Sequence, residues 1–231
     1  MLLRVEEQEH VRQAVLEAFP DHPQIDVEFH ENPHVIIDFP STLELTRASV
    51  TIPRPVGAVC STKFQAVHHS GPRSLDLISC GVIHCTQAYP ALGSAMWFAN
   101  PNSAGSAHRI VDNRICYRTL ADSIIPWAAP GMNLYGMHLE FSGFVSWTKD
   151  DWKDHDRMLR RGAYKLAVDS KKHGFPLEWL GIHELKNGNR WGVTDHFAVS
   201  QAFHLSTHTD PRPNFPENLV LDYAKFYKKK L

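Results

Sequence analysis

The sequence predicts an α/β domain in which helices flank a mixed central β-sheet, with an N-terminal extension before it. The chain has 231 residues, which is long enough for one sizeable domain. Its hydrophobic fraction of 43% and charged fraction of 21% are typical of a globular protein. The predicted secondary-structure elements follow the order strand, hairpin, strand, helix, strand, which favours a mixed sheet covered by helices.

Residues 1–60 are interpreted as the extension and residues 61–231 as the main domain. Apolar residues recur at helical spacing over residues 7–19, and Pro20 ends that predicted helix. Residues 33–39 (PHVIIDF) predict a strand. The role of the extension is left open, and its packing on the main domain as an extra layer is an equal alternative.

The first strand of the main domain is predicted over residues 76–83, a near-continuous apolar run typical of a strand buried on both faces. The run ends directly at His84. Functional groups in open α/β sheets tend to lie just beyond the carboxyl ends of strands, so His84 is well placed to be a metal ligand. Beyond it, a β-hairpin is predicted with strands at 107–111 and 114–117.

A second buried strand is predicted over residues 136–141 (GMHLEF). Alternation places its three large apolar side chains on one face and His138 and Glu140 on the other. A carboxylate on such a strand needs a partner, because desolvating it alone is costly.

The clearest helix is predicted over residues 149–173. Thr148 and Asp151 resemble a capping box at its start, and Gly174 stands at its end. A short strand at 191–194 follows and leads into a segment rich in histidine and proline.

That segment contains His196, His204, His208 and Asp210. Proline fixes φ and so lowers the entropy cost of holding a loop in one shape. Hydrolytic zinc takes three protein ligands and leaves a fourth position for water. Because His84, His196 and Asp210 give such a set, the sequence predicts Zn²⁺ as a cofactor, although no local motif such as HExxH marks the site.

Composition and charge exclude several classes of function. With Lys+Arg 24 against Asp+Glu 25, the chain has no net field toward nucleic acid or an anionic membrane. No apolar run is long enough to span a bilayer. The N-terminus is acidic where a secretory signal peptide would be basic and then apolar. We therefore expect no nucleic-acid partner, no membrane insertion, and synthesis in the cytoplasm without a signal peptide.

The four cysteines form no CxxC pair; they are Cys60, Cys80, Cys85 and Cys116. We expect buried thiols in a protein folded under reducing conditions, with a Cys80–Cys85 bridge as the alternative.

Five blocks of sequence, in order, resemble the successive blocks of the zinc N-acetylmuramoyl-L-alanine amidases. The blocks are GVIHCT at 81–86, SAHRIVD at 106–112, WAAPGMN at 127–133, MHLE at 137–140, and TDHFAVS at 194–200 with HTDP at 208–211. These amidases share the peptidoglycan-recognition-protein fold, and the variant here is most similar to endolysins of phages that infect actinobacteria. The resemblance leaves residues 1–60 uncovered.

The resemblance implies roles for five residues. His84, His196 and Asp210 would bind Zn²⁺. Glu140 would act as general base toward the zinc-bound water and pass the proton to the leaving amine. His208, where many members have lysine, would stabilise the oxyanion of the tetrahedral intermediate. The bond cut would be the amide between the lactyl group of N-acetylmuramic acid and L-alanine of the stem peptide.

Other residues of the blocks have two interpretations. Trp127 and Asn133 are candidates for lining the glycan–peptide groove, with a tryptophan packed in the core as the alternative. His138 lies on the same face as Glu140 and is either a hydrogen-bond partner of a ligand or a structural histidine. Arg212 replaces the glycine that is usual in the family, which leaves the shape of its loop open.

The implied function is a peptidoglycan amidase that lyses the bacterial cell wall after release from the cell, through a holin if the protein comes from a phage. Two alternatives stay open: a non-catalytic peptidoglycan-binding module of the same fold, and a zinc peptidase that cuts within the stem peptide. Competent residues at all three ligand positions and at Glu140 favour the enzyme. The sequence does not fix the oligomeric state.

Overall fold

The computed structural model describes residues 59–231 and, before them, the strands at 26–29 and 35–38. The chain divides into two compact units, Met1–Thr51 and Ile52–Leu231. The interpretation of residues 1–60 as an extension and of residues 61–231 as the catalytic domain stays a prediction.

The first unit contains a two-stranded antiparallel sheet of β1 (Asp26–Phe29) and β2 (Val35–Asp38). β2 confirms the strand predicted over residues 33–39, whereas β1 has no counterpart among the predicted strands. The helix predicted over residues 7–19 lies outside the described residues.

A five-stranded sheet with the order β6-β5-β8-β4-β9 forms the centre of the second unit. Its strands β4, β5, β8 and β9 are parallel, and β6 runs antiparallel to β5, so the predicted mixed sheet is confirmed. β3 and β7 pair in a separate small sheet. The strands of this unit are β3 (His69–Pro72), β4 (Cys80–Cys85), β5 (Arg109–Val111), β6 (Cys116–Arg118), β7 (Ile124–Pro126), β8 (Gly136–Phe141) and β9 (Gly192–Asp195).

Helices cover both faces of the central sheet. They are α1 (Ala91–Phe98), α2 (Lys149–Asp154), α3 (Asp156–His173), α4 (Ile182–Lys186), α5 (His196–Phe203) and α6 (Glu217–Lys228). Side chains of α3 and α6 pack with the apolar residues of β8 on one face. Side chains of α4 and α5 pack with Cys80 and Val82 of β4 on the other face.

The helix predicted over residues 149–173 is present but interrupted. Its backbone leaves helical geometry at His155, with φ −101 and ψ 32, which separates α2 from α3. The capping box of Thr148 and Asp151 is confirmed, and Gly174 ends α3 with φ 83, a conformation that glycine adopts without steric cost.

The predicted strand at 76–83 begins later than expected. Residues Leu75–Leu77 form a 3₁₀ turn, because the Ser74 side chain accepts a hydrogen bond from the Asp76 N–H and so favours a turn over strand pairing. β4 therefore starts at Cys80 and runs one residue past His84. His84 lies within the end of the strand rather than after it.

The hydrophobic alternation predicted for β8 is confirmed. Met137, Leu139 and Phe141 point into the core beneath α3 and α6. Gly162 of α3 lies so close to the Phe141 ring that a Cβ atom at this position would clash with it. Only glycine lets α3 approach the sheet so closely at that position.

The prediction for the cysteines is half correct. Cys80 and Cys85 are buried thiols, and burial raises the pKa of both. They lie at the two ends of β4, about 16 Å apart for a strand that rises about 3.3 Å per residue, which a disulfide cannot span. Cys60 and Cys116, by contrast, form a disulfide, so the expectation of four thiols was wrong.

None of the helices in the described ranges is long and apolar enough to cross a membrane.

Candidate active site

Three side chains from separate elements meet at one edge of the central sheet. His84 comes from β4, His196 begins α5 directly after β9, and Asp210 lies in the loop between α5 and α6. All three are buried and lie close enough to share a metal ion. His84 Nδ1 lies 3.1 Å from His196 Nδ1 and 3.5 Å from Asp210 Oδ2, and His196 Nδ1 lies 3.2 Å from Asp210 Oδ1.

The sequence around β9 sets the position of His196. β9 pairs in parallel with β4, so both strands end at the same edge of the sheet. Asp195 caps α5 by accepting a hydrogen bond from the Ala198 N–H at 2.7 Å, which turns the chain into the helix at His196. The Phe197 N–H donates to the carbonyl of Asp210 at 2.9 Å and joins the start of α5 to the ligand loop.

Arg212, which replaces the glycine usual in the amidases that the sequence resembles, holds the same loop. Its Nε donates to Asp195 Oδ2 at 2.7 Å, and its Nη1 donates to Glu217 Oε1 at 3.1 Å. Asp195 caps α5 and Glu217 begins α6, so the guanidinium ties both helices to the loop that carries Asp210. This side chain therefore contributes two of the hydrogen bonds that hold the loop whose shape the sequence left open.

The three ligand side chains fit a tetrahedral divalent cation. Zinc–nitrogen bonds of about 2.0–2.1 Å place tetrahedral ligand atoms about 3.3 Å from one another. The two imidazole Nδ1 atoms lie 3.1 Å apart, which is near that value. The Asp210 carboxylate faces both of them, with Oδ1 3.2 Å from His196 Nδ1 and Oδ2 3.5 Å from His84 Nδ1. Two imidazoles and a carboxylate are donors that zinc accepts. The donor set therefore fits zinc.

The ionisation of Asp210 and His196 agrees with that fit. Burial alone would raise the pKa of Asp210, but hydrogen bonds from His196, His208 and His84 outweigh it and hold the pKa far below its usual range. Burial lowers the pKa of His196 to about 4, so its ring is neutral near pH 7. Its Nε2 is buried with no hydrogen-bond partner in the described part of the chain. An ionised carboxylate and a neutral imidazole are the forms that bind metal.

Glu140 stands next to the ligands on the neighbouring strand. In the parallel pairing of β4 with β8 it lies opposite His84. Its side chain is buried, and burial raises the pKa of its carboxyl group to about 7. A carboxyl group that titrates near neutrality can accept and return a proton.

His208 contacts two members of the same group. Its ring stacks on that of His196, with centroids 4.2 Å apart, and its Nδ1 lies 3.3 Å from Asp210 Oδ1. The hydrogen bond with Asp210 raises the pKa of His208. His208 is 62% exposed, so its ring can contact a bound molecule.

His138 directly contacts His84, one of the three candidate metal ligands. It is fully buried, and its Nδ1 lies 3.0 Å from His84 Nε2. Burial holds the pKa of His138 well below its usual value, so the ring is neutral. Of the two interpretations of His138, this contact favours a partner of the ligand.

A cleft of about 460 Å³ opens beside the ligand group. Trp127 lines it and is 44% exposed, which excludes the alternative of a tryptophan packed in the core. Trp127 stacks on His68 and donates from Nε1 to Ser70 Oγ at 2.8 Å. Trp97 of α1, which the sequence patterns missed, also lines the cleft.

Asn133 does not line this cleft in the described structure. Its Oδ1 accepts hydrogen bonds from the N–H groups of Ala128 and Ala129, at 3.1 and 2.7 Å. Asn133 thus braces the turn that follows Trp127. His204, near the ligands in sequence, ends α5 in a left-handed conformation and is not one of the converging side chains.

No protein-family profile matches the sequence, and no curated protein matches it. Solved structures, however, match the structure of this chain. One is the hydrolase AmiA of Staphylococcus aureus in complex with its ligand, with TM-score 0.53 and 15% identity over 75% of this chain and 88% of that chain. Another is the catalytic domain of PlyG, with TM-score 0.52 and 13% identity over 74% of this chain and 95% of that chain. A mutant of PlyL gives TM-score 0.51 and 11% identity over 72% of this chain and 98% of that chain.

The chain shares the fold of these structures. The predicted fold class is confirmed. Identities of 11% to 15% establish the fold alone. The chemistry of the site must therefore be argued from the residues of this chain.

Proposed function

We propose that this protein is a zinc-dependent hydrolase that cleaves the amide bond between N-acetylmuramic acid and L-alanine in peptidoglycan, and thereby lyses the bacterial cell wall as an endolysin does. The observation that carries the proposal is the meeting of His84, His196 and Asp210 with the buried Glu140 at the edge of an open cleft. The fold shared with the hydrolase AmiA and the ordered sequence blocks both support it.

His84, His196 and Asp210 would hold the zinc ion. When bound there, zinc supplies Lewis acidity, which makes hydroxide available near neutral pH and polarises a carbonyl group. All three side chains are buried, and each also borders the cleft.

Glu140 would move the proton. Its carboxylate takes a proton from the attacking water while the water oxygen bonds to the scissile carbonyl carbon. It returns the proton to the amide nitrogen as the carbon–nitrogen bond breaks, so L-alanine leaves as a neutral amine. A pKa of about 7 suits both steps, because neither protonation state of the carboxyl group is strongly favoured at neutral pH.

His208 would stabilise the negative charge that develops on the carbonyl oxygen. Its Nδ1 faces Asp210, which leaves Nε2 to donate a hydrogen bond toward the cleft. Removal of one such donor from a hydrolase costs about 2.7–4 kcal/mol of transition-state stabilisation. Trp127 would offer its exposed face to the glycan–peptide substrate.

Digestion of purified cell wall, followed by mass spectrometry of the products, tests the proposal. The protein should release intact stem peptides with a free N-terminal L-alanine, and a zinc chelator should abolish the release. Cuts inside the stem peptide would instead identify a peptidase. Binding of cell wall without any cut, in the presence of zinc, would identify a recognition module.

A further inference from the structure

Both ring nitrogens of His138 face a defined partner. Nδ1 lies 3.0 Å from His84 Nε2, and Nε2 lies 3.4 Å from the carbonyl oxygen of Met132. The other nitrogen of His84, Nδ1, points toward His196 and Asp210. The two imidazoles therefore form a short chain from the backbone of Met132 to the ligand group.

Only one arrangement of protons satisfies this chain when a metal binds His84. A nitrogen that ligates a metal must be unprotonated, so neutral His84 would bind through Nδ1 and carry its proton on Nε2. That N–H needs an acceptor, and His138 Nδ1 is the atom in reach. Neutral His138 then carries its own proton on Nε2, which faces the Met132 carbonyl.

The surroundings of His138 fix its ring in this orientation. A Cβ atom at Gly136 would lie 2.6 Å from His138 Nε2, so only glycine leaves room for the ring. The backbone N–H of His138 donates to His108 Nδ1 at 3.0 Å, and the two rings stack at an interplanar angle of 18°. Arg73 donates to the carbonyl of Gly136 at 2.9 Å and holds the adjacent turn.

We propose that His138 is a positioning residue that selects the tautomer and ring orientation of His84 required for metal binding. The inference rests on the proposed zinc site and deepens it. Ligating histidines commonly donate their second N–H to a carboxylate or a carbonyl. Here the acceptor is the neutral imidazole of His138, which adds no further negative charge beside Asp210 and Glu140.

A matched pair of variants separates hydrogen bonding from packing. Asn and Leu have nearly the same shape, and the Asn side-chain oxygen can occupy the position of His138 Nδ1. We expect His138→Leu to weaken zinc binding roughly 10- to 100-fold, measured by competition with a chromogenic chelator. His138→Asn should bind zinc nearly as tightly as the unmodified protein, because it keeps the acceptor. Melting temperatures of the metal-free variants report any loss of folding separately.

The outcomes distinguish this inference from the proposed function. If the unmodified chain binds zinc and His138→Leu binds it equally tightly, the positioning role is overturned and the metal site stands. If the unmodified chain binds no zinc, both are overturned. If both variants unfold, nitrogen-resolved NMR of the zinc-loaded unmodified protein decides. A His138 ring protonated on Nε2 supports the inference, and one protonated on Nδ1 overturns it.

Discussion

The carboxyl group of Glu140 is buried beside the ligand side chains, and its Oε2 has no hydrogen-bond partner within the described part of the chain. Burying such a group without a partner costs stability. Buried carboxyl groups with perturbed pKa values cluster at functional sites. The pKa of this carboxyl group, which burial raises, is therefore central to the proposed mechanism.

We expect Glu140→Gln to lower the rate of amide cleavage by roughly 100- to 10,000-fold, because the amide cannot accept a proton. Zinc binding should be retained, since Glu140 is not one of the proposed ligands. Metal content and turnover measured on the same preparation check this. His84→Ala is the matched control and should lose metal and turnover together. Full turnover by Glu140→Gln would show that another group moves the proton.

Periodic hydrophobic patterns predicted those secondary-structure elements that bury one regular apolar face. β8 and the long helix followed their alternation and capping signals, and both are present. α1 was missed because its pattern is inverted. Its small residues Ala91 and Ala95 are buried, whereas Met96 and Trp97 are exposed, and Trp97 lines the cleft. A helix that presents large apolar side chains outward has no amphipathic signal of the usual kind.

Sequence patterns also could not predict every contact between residues that are distant in the chain. The ligand set His84, His196 and Asp210 was predicted from strand ends and from a family resemblance. The contact of His138 with His84 was left open, because it depends on the pairing of β8 with β4. The role of Arg212 in joining α5 to α6 depends on a loop conformation that the sequence alone does not specify.

Arg212→Ala should weaken zinc binding by loosening the loop that carries Asp210. It should also lower the free energy of unfolding by about 1.5–3 kcal/mol, the value typical of hydrogen bonds to charged groups, because Asp195 would lose its cationic partner. Zinc titration and urea unfolding check the two effects. Arg160→Ala removes a surface pair with Asp156 and is the control, for which zinc affinity should not change. An unchanged zinc affinity in Arg212→Ala would refute the role given to this loop contact.

An ion network joins α3 to the sheet through Asp122. Arg109, Lys172 and His173 all contact its carboxylate, at 3.3, 2.6 and 3.4 Å. Burial alone would raise the pKa of Asp122, but the hydrogen bond from His173 and the charges of Arg109 and Lys172 outweigh it and hold the pKa well below its usual value. Because basic side chains already neutralise the carboxylate, we interpret this group as structural and not as a second metal site.

The stability contributed by Asp122 should depend on pH. A carboxyl group whose folded pKa is depressed stabilises the fold fully above its unfolded pKa of about 3.9 and loses that effect as the pH falls toward the folded pKa. Asp122→Asn should cost about 3–5 kcal/mol at pH 7 and show a shallower loss of stability below about pH 4. Urea unfolding as a function of pH measures both. Asp150→Asn, in an exposed pair with Lys153, is the control and should change little. Parallel acid profiles for Asp122→Asn and the unmodified protein would rule out this account.

At the scale of the whole second unit, the disulfide Cys60–Cys116 fastens the segment before the sheet to β6. Ser61 adds backbone hydrogen bonds to the same strand: its N–H donates to the Cys116 carbonyl, and its carbonyl accepts from the Arg118 N–H. The two cysteines are 56 residues apart in sequence, so no local motif marked them as a pair. The two cysteines can meet because Cys116 begins β6, which lies at the edge of the sheet.

Reduction of this disulfide should lower the free energy of unfolding by about 4 kcal/mol, the chain-entropy value for a loop of this length. Zinc affinity should not change, because neither cysteine contacts the ligand group. Urea unfolding with and without a reductant measures the effect. The variant Cys60→Ser should show the reduced stability in both conditions. A response of that variant to reductant would mean that another bond is involved.

Adding zinc back to metal-free protein tests whether cleavage depends on zinc held by His84. Unmodified protein and His84→Ala are stripped with a chelator, titrated with zinc, and assayed for release of stem peptides from purified cell wall. We expect the unmodified protein to regain release in proportion to the zinc it binds, with free L-alanine N-termini on the products. We expect His84→Ala to regain none. Release by the stripped protein before any zinc is added, or equal recovery by His84→Ala, would contradict this expectation.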